Sequence, residues 1–193
     1  VLAALTGVSG SGKSSLVEEI VNQHEGKIVL IDQSSVGANK RGCLATYVGA
    51  FDKIRQLFAK EHRMHPSFFS YNSHGGCDLC KGVGFIEMDM NFLGDVKIKC
   101  EGCNGSRYKA KVLKYLFQGK NIGEVLGMTA AEVGDFFKDE EITRATDLLQ
   151  EVGLDYMEMG QTLDTLSGGE AQRLKLTSRL QNKGEFYILD EPT

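Results

Sequence analysis

The sequence predicts an α/β fold built on a phosphate-binding loop and interrupted by a small metal-stapled subdomain. Three observations carry that prediction. The chain opens on an apolar run, VLAAL, that enters a glycine loop and then helix-forming residues; a second apolar run, FYIL, ends in Asp190 and Glu191; and four cysteines stand between the two in closely spaced pairs. With 193 residues, 41% of them hydrophobic and 25% charged, the chain can bury a core. A formal net charge of -4 excludes a wholly basic nucleic-acid coat, so any such contact must come from a local patch. No apolar run approaches the roughly 18–20 residues that cross a bilayer, and no signal peptide precedes the first strand, so a soluble, cytoplasmic protein without membrane contact is expected. Five cysteines fit that compartment if four hold a metal and Cys43 is a free thiol. Without an initiator Met, and stopping just after LDEPT, the sequence reads as a piece of a larger protein.

The first strand runs into Gly7-x4-Gly12-Lys13-Ser14, a complete match to G-x-x-x-x-G-K-[ST] in its strand-before, helix-after context. Glycines let backbone N–H groups curl around a phosphate, and the helix N-terminus adds a positive dipole end. The candidate ATP contacts are therefore Gly7, Ser9, Gly10, Ser11, Gly12, Lys13, Ser14 and Ser15, on a helix running to about Gln23. Lys13 would reach the β- and γ-phosphates and Ser14 the Mg²⁺.

The run before Asp190 suits a central strand of a parallel sheet covered on both faces, with its carboxylates emerging at the C-terminal end, where such sheets bind ligands. Asp190 would hold Mg²⁺ through water, and Glu191 would act as general base on the attacking water. Upstream, TLSGGEAQRLKL carries a capping box, Ser167 with Glu170, so a helix should start there with Leu174 and Leu180 among its buried positions. Gly168 and Gly169 cost about 1 kcal/mol each relative to Ala in a helix. Their use is to let backbone N–H groups and the Ser167 hydroxyl approach an anion at the positive helix end.

Cys77-x2-Cys80, a 19-residue spacer and Cys100-x2-Cys103 form a four-thiolate pattern. Zn²⁺ held by four cysteines leaves no open position, so the metal is expected to be structural; an Fe–S cluster and redox cysteines are the alternatives, with His74 as a variant ligand. Gly82, Gly84, Gly102 and Gly105 supply the turns. In the spacer, Phe85, Glu87, Asp89 and Asn91 alternate with Ile86, Met88, Met90 and Phe92, which predicts a hairpin with one wet face, stapled at its base. From Val96 to Lys120 seven basic residues (Lys97, Lys99, Arg107, Lys109, Lys111, Lys114, Lys120) oppose Glu101 alone, interleaved with Tyr108, Tyr115 and Phe117. Basic residues with aromatic stacking surfaces are what a nucleic-acid reader would use. Beyond them, Thr129 and Glu132 make a second capping box before Val133, Phe136 and Phe137, and Ile142, Ala145, Leu148, Leu149 and Val152 follow at helical spacing as core stripes.

The LSGGE segment resembles the signature motif of ABC ATPases, which in that family faces the γ-phosphate held by a second nucleotide-binding domain. The wider set, GVSGSGKSSL, IDQSSVG, ATYVGAFDKIRQLFA, the stretch FSYNSHGGCDLCKGVGF to KCEGCNGSRY, LSGGEAQRLKL and YILDEPT, is similar over nearly the whole chain to the C-terminal ATPase half of the UvrA family of ABC excinuclease proteins. The resemblance implies an ABC-type P-loop NTPase with an inserted zinc-binding β-hairpin subdomain and a helical signature subdomain. It divides the chain into a first part of the ATP-binding core at 1–66, the zinc insertion at 67–120, the signature subdomain at 121–184 and a second core part at 185–193. It implies an ATP-dependent DNA-damage recognition component of nucleotide excision repair that forms a homodimer, binds duplex DNA and passes it to a UvrB-like partner. By the same likeness Gln33 is a Mg²⁺ and water contact beside Ser14 and Asp190, Ser167 to Gly169 take the signature role, Lys13 and Glu191 are catalytic, and the four cysteines hold zinc. Few residues separate the first helix from the Gln33 strand, so a shortened, drug-resistance type paralogue is the alternative. Two others are the ATPase component of a membrane transporter, which leaves the cysteines unexplained, and a chaperone-type CxxCxGxG zinc module, which leaves the P-loop unexplained. Taken alone, the chain is expected to hydrolyse nucleotide slowly.

Overall fold

The computed structural model describes residues 3–8, 10–24, 28–31, 36, 41–88, 96–180 and 186–189. In chain order the elements are α1 (Lys13–Gln23), β1 (Ile28–Ile31), α2 (Leu44–Tyr47), α3 (Ala50–His62), β2 (Phe85–Met88), β3 (Val96–Lys99), β4 (Leu116–Phe117), β5 (Lys120–Asn121), α4 (Ile122–Leu126), α5 (Ala130–Phe137), α6 (Glu140–Glu151), α7 (Gly168–Leu180) and β6 (Phe186–Leu189). By packing they fall into two units, Val1–Val36 with Leu166–Thr193, and Gly37–Thr165.

In the first unit the apolar run IVLI pairs in parallel with FYIL, Ile28 opposite Phe186 through Ile31 opposite Leu189, whereas the opening run, expected to be the first strand, forms none at residues 3–8, which are exposed and have no strand beside them among the described residues. Parallel pairing is what continuous hydrophobic runs with no polar alternation favour. Full cover on both faces is not what Tyr187 shows, since it is 45% exposed. Helix α1 begins and ends where its sequence signals place it, and none of its residues is buried.

The second unit has its core around α3, an amphipathic helix that buries Phe51, Ile54, Phe58 and Ala59. Helix α3 packs with residues that follow it, the 3₁₀ turn Pro66–Phe69 and α6 among them. Phe58 packs against Phe69 and Phe117, with ring centroids 5.5 and 5.6 Å apart, and Phe117 packs on Phe136 and Phe137. Such pairs add about 0.5–1.5 kcal/mol beyond the area they bury. Helix α5 starts at the predicted box: the Glu132 N–H donates to Thr129 Oγ1 and the Thr129 N–H donates to Glu132 Oε2. Ile142, Ala145 and Leu149 on α6 and Val152 just after it are buried as the spacing predicts, whereas Leu148 is only half-buried.

A strap at residues 157–163 threads this unit. Its backbone pairs on one side with the entry to α2 (Ala45 N–H to Met159 C=O, Leu44 N–H to Gln161 C=O) and on the other with the α4–α5 junction (Ala130 N–H to Met157 C=O, Gly160 N–H to Leu126 C=O). A 3₁₀ turn, Leu163–Thr165, then leads to Ser167.

The hairpin exists, but its wet-dry alternation does not. Strands β2 and β3 pair antiparallel, Phe85 with Lys99 and Ile86 with Ile98. Ile86, Met88, Val96 and Ile98 are each 39–49% exposed, so the apolar face is wet as well. The alternation at Asp89 to Phe92 lies outside the described residues. Because the core of this unit rests on Phe58, Phe58→Ala is expected to cost about 3–5 kcal/mol of unfolding free energy, read from denaturant midpoints at unchanged slope.

Candidate nucleotide loop and metal centre

The glycine loop is shaped around backbone groups. Gly10 and Gly12 hold φ of 79° and 84°, a region that costs other residues strain, and Gly12 occupies the N-cap of α1 without any side-chain cap. The first-turn N–H groups are thus left without a side-chain acceptor, the condition that favours an anion there. Lys13 Nζ folds back onto the loop and donates to the carbonyls of Gly7 and Val8, both at 2.8 Å. Those are weak holds for an ammonium, and a phosphate would outcompete them. Gly7, Ser11, Ser14 and Ser15 lie in the same loop and first turn; Ser9, Gln33, Asp190 and Glu191 fall outside the described residues.

The signature segment forms the helix start its sequence predicts. The Ser167 N–H and hydroxyl both donate to Glu170 Oε2 at 2.8 Å, and the Glu170 N–H donates to Ser167 Oγ at 3.3 Å. Helix α7 begins at Gly168, where an added Cβ would meet open space. Leu174 is fully buried; the Leu180 side chain is outside the described residues.

The four cysteines converge. Their sulfurs all lie within 4.8 Å of one another, with Cys77 to Cys100 at 3.9 Å and Cys80 to Cys103 at 3.6 Å. A disulfide would require about 2.05 Å, whereas a tetrahedron with metal–sulfur bonds of about 2.3 Å has edges of about 3.8 Å. The donor set therefore fits a tetrahedral, thiolate-binding ion. Gly82 is required here: it holds φ of 84°, and a Cβ would sit 2.0 Å from the Tyr71 carbonyl oxygen. Burial pushes the Cys80 thiol up, but donors from the Gly84 backbone, Cys103 and Gly82 outweigh it and bring it down to about 7. Burial pushes Cys103 up too, and there the Cys80 and Cys100 thiols add to it against the Arg107 backbone donor, so it is pushed up to about 12. His74 stands outside the cluster, its Nδ1 3.2 Å from Ser67 Oγ.

The basic stretch needs correcting. Tyr108 is fully buried, its hydroxyl donating to the Phe69 carbonyl at 3.0 Å, so it is a core residue and no stacking platform. Tyr115 and Phe117 are likewise packed, Tyr115 against His62, Phe68 and Phe69. Arg107 is 8% exposed; its Nη2 donates to the Gly160 carbonyl at 2.8 Å and its guanidinium lies 5.0 Å over the Tyr71 ring. The exposed cations of this stretch are Lys97, Lys99, Lys111, Lys114 and Lys120, with Lys109 paired to Asp78 at 2.7 Å. Lys97 reaches Asp164 at 2.5 Å. Sequence reasoning places Arg107 on the basic face, since its spacing four after Cys103 gives no signal of burial, and gives the free thiol Cys43 no place, whereas its buried sulfur lies 3.1 Å from the Tyr71 hydroxyl.

The family model for "ABC transporter" matches residues 2–193. The chain belongs to the ABC transporter family. UvrABC system protein A of Micrococcus luteus is 43% identical over 226 residues, covering 100% of this chain and 23% of that protein. The same-named protein of Listeria monocytogenes serotype 4b is 44% identical over 224 residues, covering 99% and 23%. The crystal structure of UvrA2 from Deinococcus radiodurans superposes with a TM-score of 0.87 at 40% identity, covering 97% of this chain and 26% of that one. The chain thus spans about a quarter of the length of the relatives it matches. The alignments run over more positions than this ABC chain has residues, so those relatives carry insertions relative to it. No described helix is long and apolar enough to cross a membrane.

Asp164 supplies a pH test. Burial pushes its carboxyl up, but Lys97 and Thr162 outweigh that and hold it below its ordinary value. The stability from the pair is therefore present above the ordinary carboxylate value and lost as pH falls through the lowered one. Asp164→Asn should cost at most about 1 kcal/mol at neutral pH, the pair being partly exposed. Its unfolding midpoint should converge with that of the unaltered protein in acid.

Proposed function

We propose that this chain is the ATP-hydrolysing segment of a UvrA-type DNA-damage recognition protein of nucleotide excision repair, acting in the cytoplasm. The observation that carries the reading is the union in one chain of a P-loop, a capped signature helix and a four-cysteine centre bearing an exposed lysine hairpin. The likeness to UvrABC system protein A and UvrA2 supports it.

In this reading Lys13 exchanges the Gly7 and Val8 carbonyls for the β- and γ-phosphates of ATP, and the N–H groups at the start of α1 receive the phosphate oxygens. Ser14, Gln33 and Asp190 would hold Mg²⁺, which neutralises charge on the phosphates. Glu191 takes the proton of the attacking water. Ser167, Gly168 and Gly169 offer their donors to the γ-phosphate held by a second ABC domain, so nucleotide binding draws two domains together in a homodimer. The cysteines would hold zinc, which supplies a structural clamp and no open coordination position. Lys99 and Lys111 on the hairpin side meet phosphates of duplex DNA, and a UvrB-like partner receives the DNA. A shortened UvrA-like paralogue is the second reading, favoured by the insertions the relatives carry; it would bind duplex DNA yet fail to load the UvrB-like partner.

The test uses the full-length protein. Glu191→Gln is expected to lower ATP turnover about 10²- to 10⁴-fold while nucleotide binding persists, and unchanged turnover would remove Glu191 from the role. Lys99→Glu with Lys111→Glu is expected to weaken duplex binding similarly across sequences and to flatten its salt dependence by about one power of salt per charge. Duplex binding indifferent to both changes would exclude the hairpin as the DNA contact.

A further inference from the structure

Backbone bonds fix the first cysteine loop against the segment that follows the second. The Cys77 N–H donates to the Arg107 carbonyl at 2.8 Å, Gly76 bridges to Tyr108, and the Lys109 N–H donates to the Gly75 carbonyl at 2.9 Å. Along these two segments lies a cavity of about 450 Å³ whose lining includes Asp78, Leu79, Gly102, Lys109 and Lys111.

Three ammonium groups gather at Asp78 on its rim. Lys109 Nζ lies 2.7 Å from Asp78 Oδ1, and the hydrogen bond from Lys109, followed by the charges of Lys109, Lys81 and Lys111, holds the carboxyl below its ordinary value. Three cations and one anion give these four groups a net charge of +2. The Asp78 side chain is 80% exposed, so its pair with Lys109 is weak and opens readily. Lys109, 27% exposed and lining the cavity, is the more enclosed partner.

A lysine ammonium is a compact point charge that meets a phosphate oxygen without reading a base. A duplex presents phosphates at high density, and each lysine that meets one releases condensed counterions, a gain that an isolated carboxylate does not offer. Lys99 and Lys114 are exposed in the same module, so a polyanion is served by more than this rim alone.

We propose that the rim is a backbone-phosphate seat for duplex DNA formed by Lys81, Lys109 and Lys111, and that Asp78 occupies it as an internal competitor that limits how tightly the duplex is held. The inference rests on the DNA-binding reading above and adds to it the residue that tempers affinity. When a phosphate enters, Lys109 exchanges the Asp78 carboxylate for a phosphate oxygen, and the carboxylate returns to solvent. The contact is sequence-independent, and an affinity held down in this way favours release from one stretch of duplex and search along the next.

The experiment takes the full-length protein and a fluorescein-labelled duplex, with Kd read by anisotropy over a series of KCl concentrations. Asp78→Asn is expected to tighten binding about two- to five-fold and to steepen the dependence of log Kd on log salt by up to about 0.9, one further phosphate contact. Lys109→Met is expected to flatten that dependence by a similar amount and, combined with Asp78→Asn, to remove most of the gain. Glu101→Gln makes the same charge change in the same module and is expected to gain less than Asp78→Asn; an equal gain means that net charge alone matters, and overturns the competitor. Zinc content and thermal midpoint are measured on every variant, and a lowered midpoint or lost metal with an unmoved salt dependence overturns the seat. So does binding of poly-glutamate that depends on Lys109 while duplex binding does not, a result that assigns the rim to an acidic polypeptide. If the unaltered protein binds no duplex, the DNA-binding reading falls and takes the seat with it. If it binds duplex while Asp78→Asn and Lys109→Met both match it, the seat alone is wrong.

Discussion

Four sulfurs gathered within 4.8 Å are the constraint on which the middle of this molecule depends. The stretch from Tyr71 to Tyr108 contains, among its described residues, one short hairpin and otherwise only turns. It has little apolar area of its own to bury, and segments of that kind need a metal or covalent staple to hold a single conformation. The site that could hold such a staple is local and dry: Cys77, Cys80 and Cys100 are buried, and the Gly84 N–H donates to Cys80 Sγ at 3.2 Å, a contact that stabilises a thiolate.

From that point order passes outward by hydrogen bonds. The Cys77 N–H joins the Arg107 carbonyl, the Arg107 guanidinium joins Gly160, and Gly160 lies in a strap already fixed on both sides by backbone pairs. Tyr71 and Tyr108, both buried, close the space beneath; their rings meet edge to face at 5.8 Å. The energies are unequal. Leaving a buried guanidinium donor without its acceptor costs about 1–3 kcal/mol or more, whereas the exposed Lys97–Asp164 pair contributes at most about 1 kcal/mol. The first can hold a structure, and the second can only bias one.

Much of this was legible in the sequence. The glycine loop, the two capping boxes and the cysteine quartet depend on local chemistry, where residue type and spacing determine the outcome. What the sequence hid depends on partners far along the chain. Arg107 and Tyr108 read as a basic and an aromatic member of a binding face, yet Gly160 and Phe69 draw them inside. Helix α3 gave no strong start signal, since its N-cap is Gly49 rather than a hydroxyl or carboxylate residue. The hairpin's alternation correctly gave its strands, but alternation alone cannot say whether a surface lies beneath the apolar face.

The most direct test of the account is X-ray absorption at the zinc edge on protein purified without added metal. The account predicts stoichiometric zinc with four sulfur neighbours at about 2.3 Å and loss of order around Tyr71 to Tyr108 when the metal is stripped. Sub-stoichiometric zinc, a shell of nitrogen or oxygen neighbours, or an unaltered fold after stripping would contradict it.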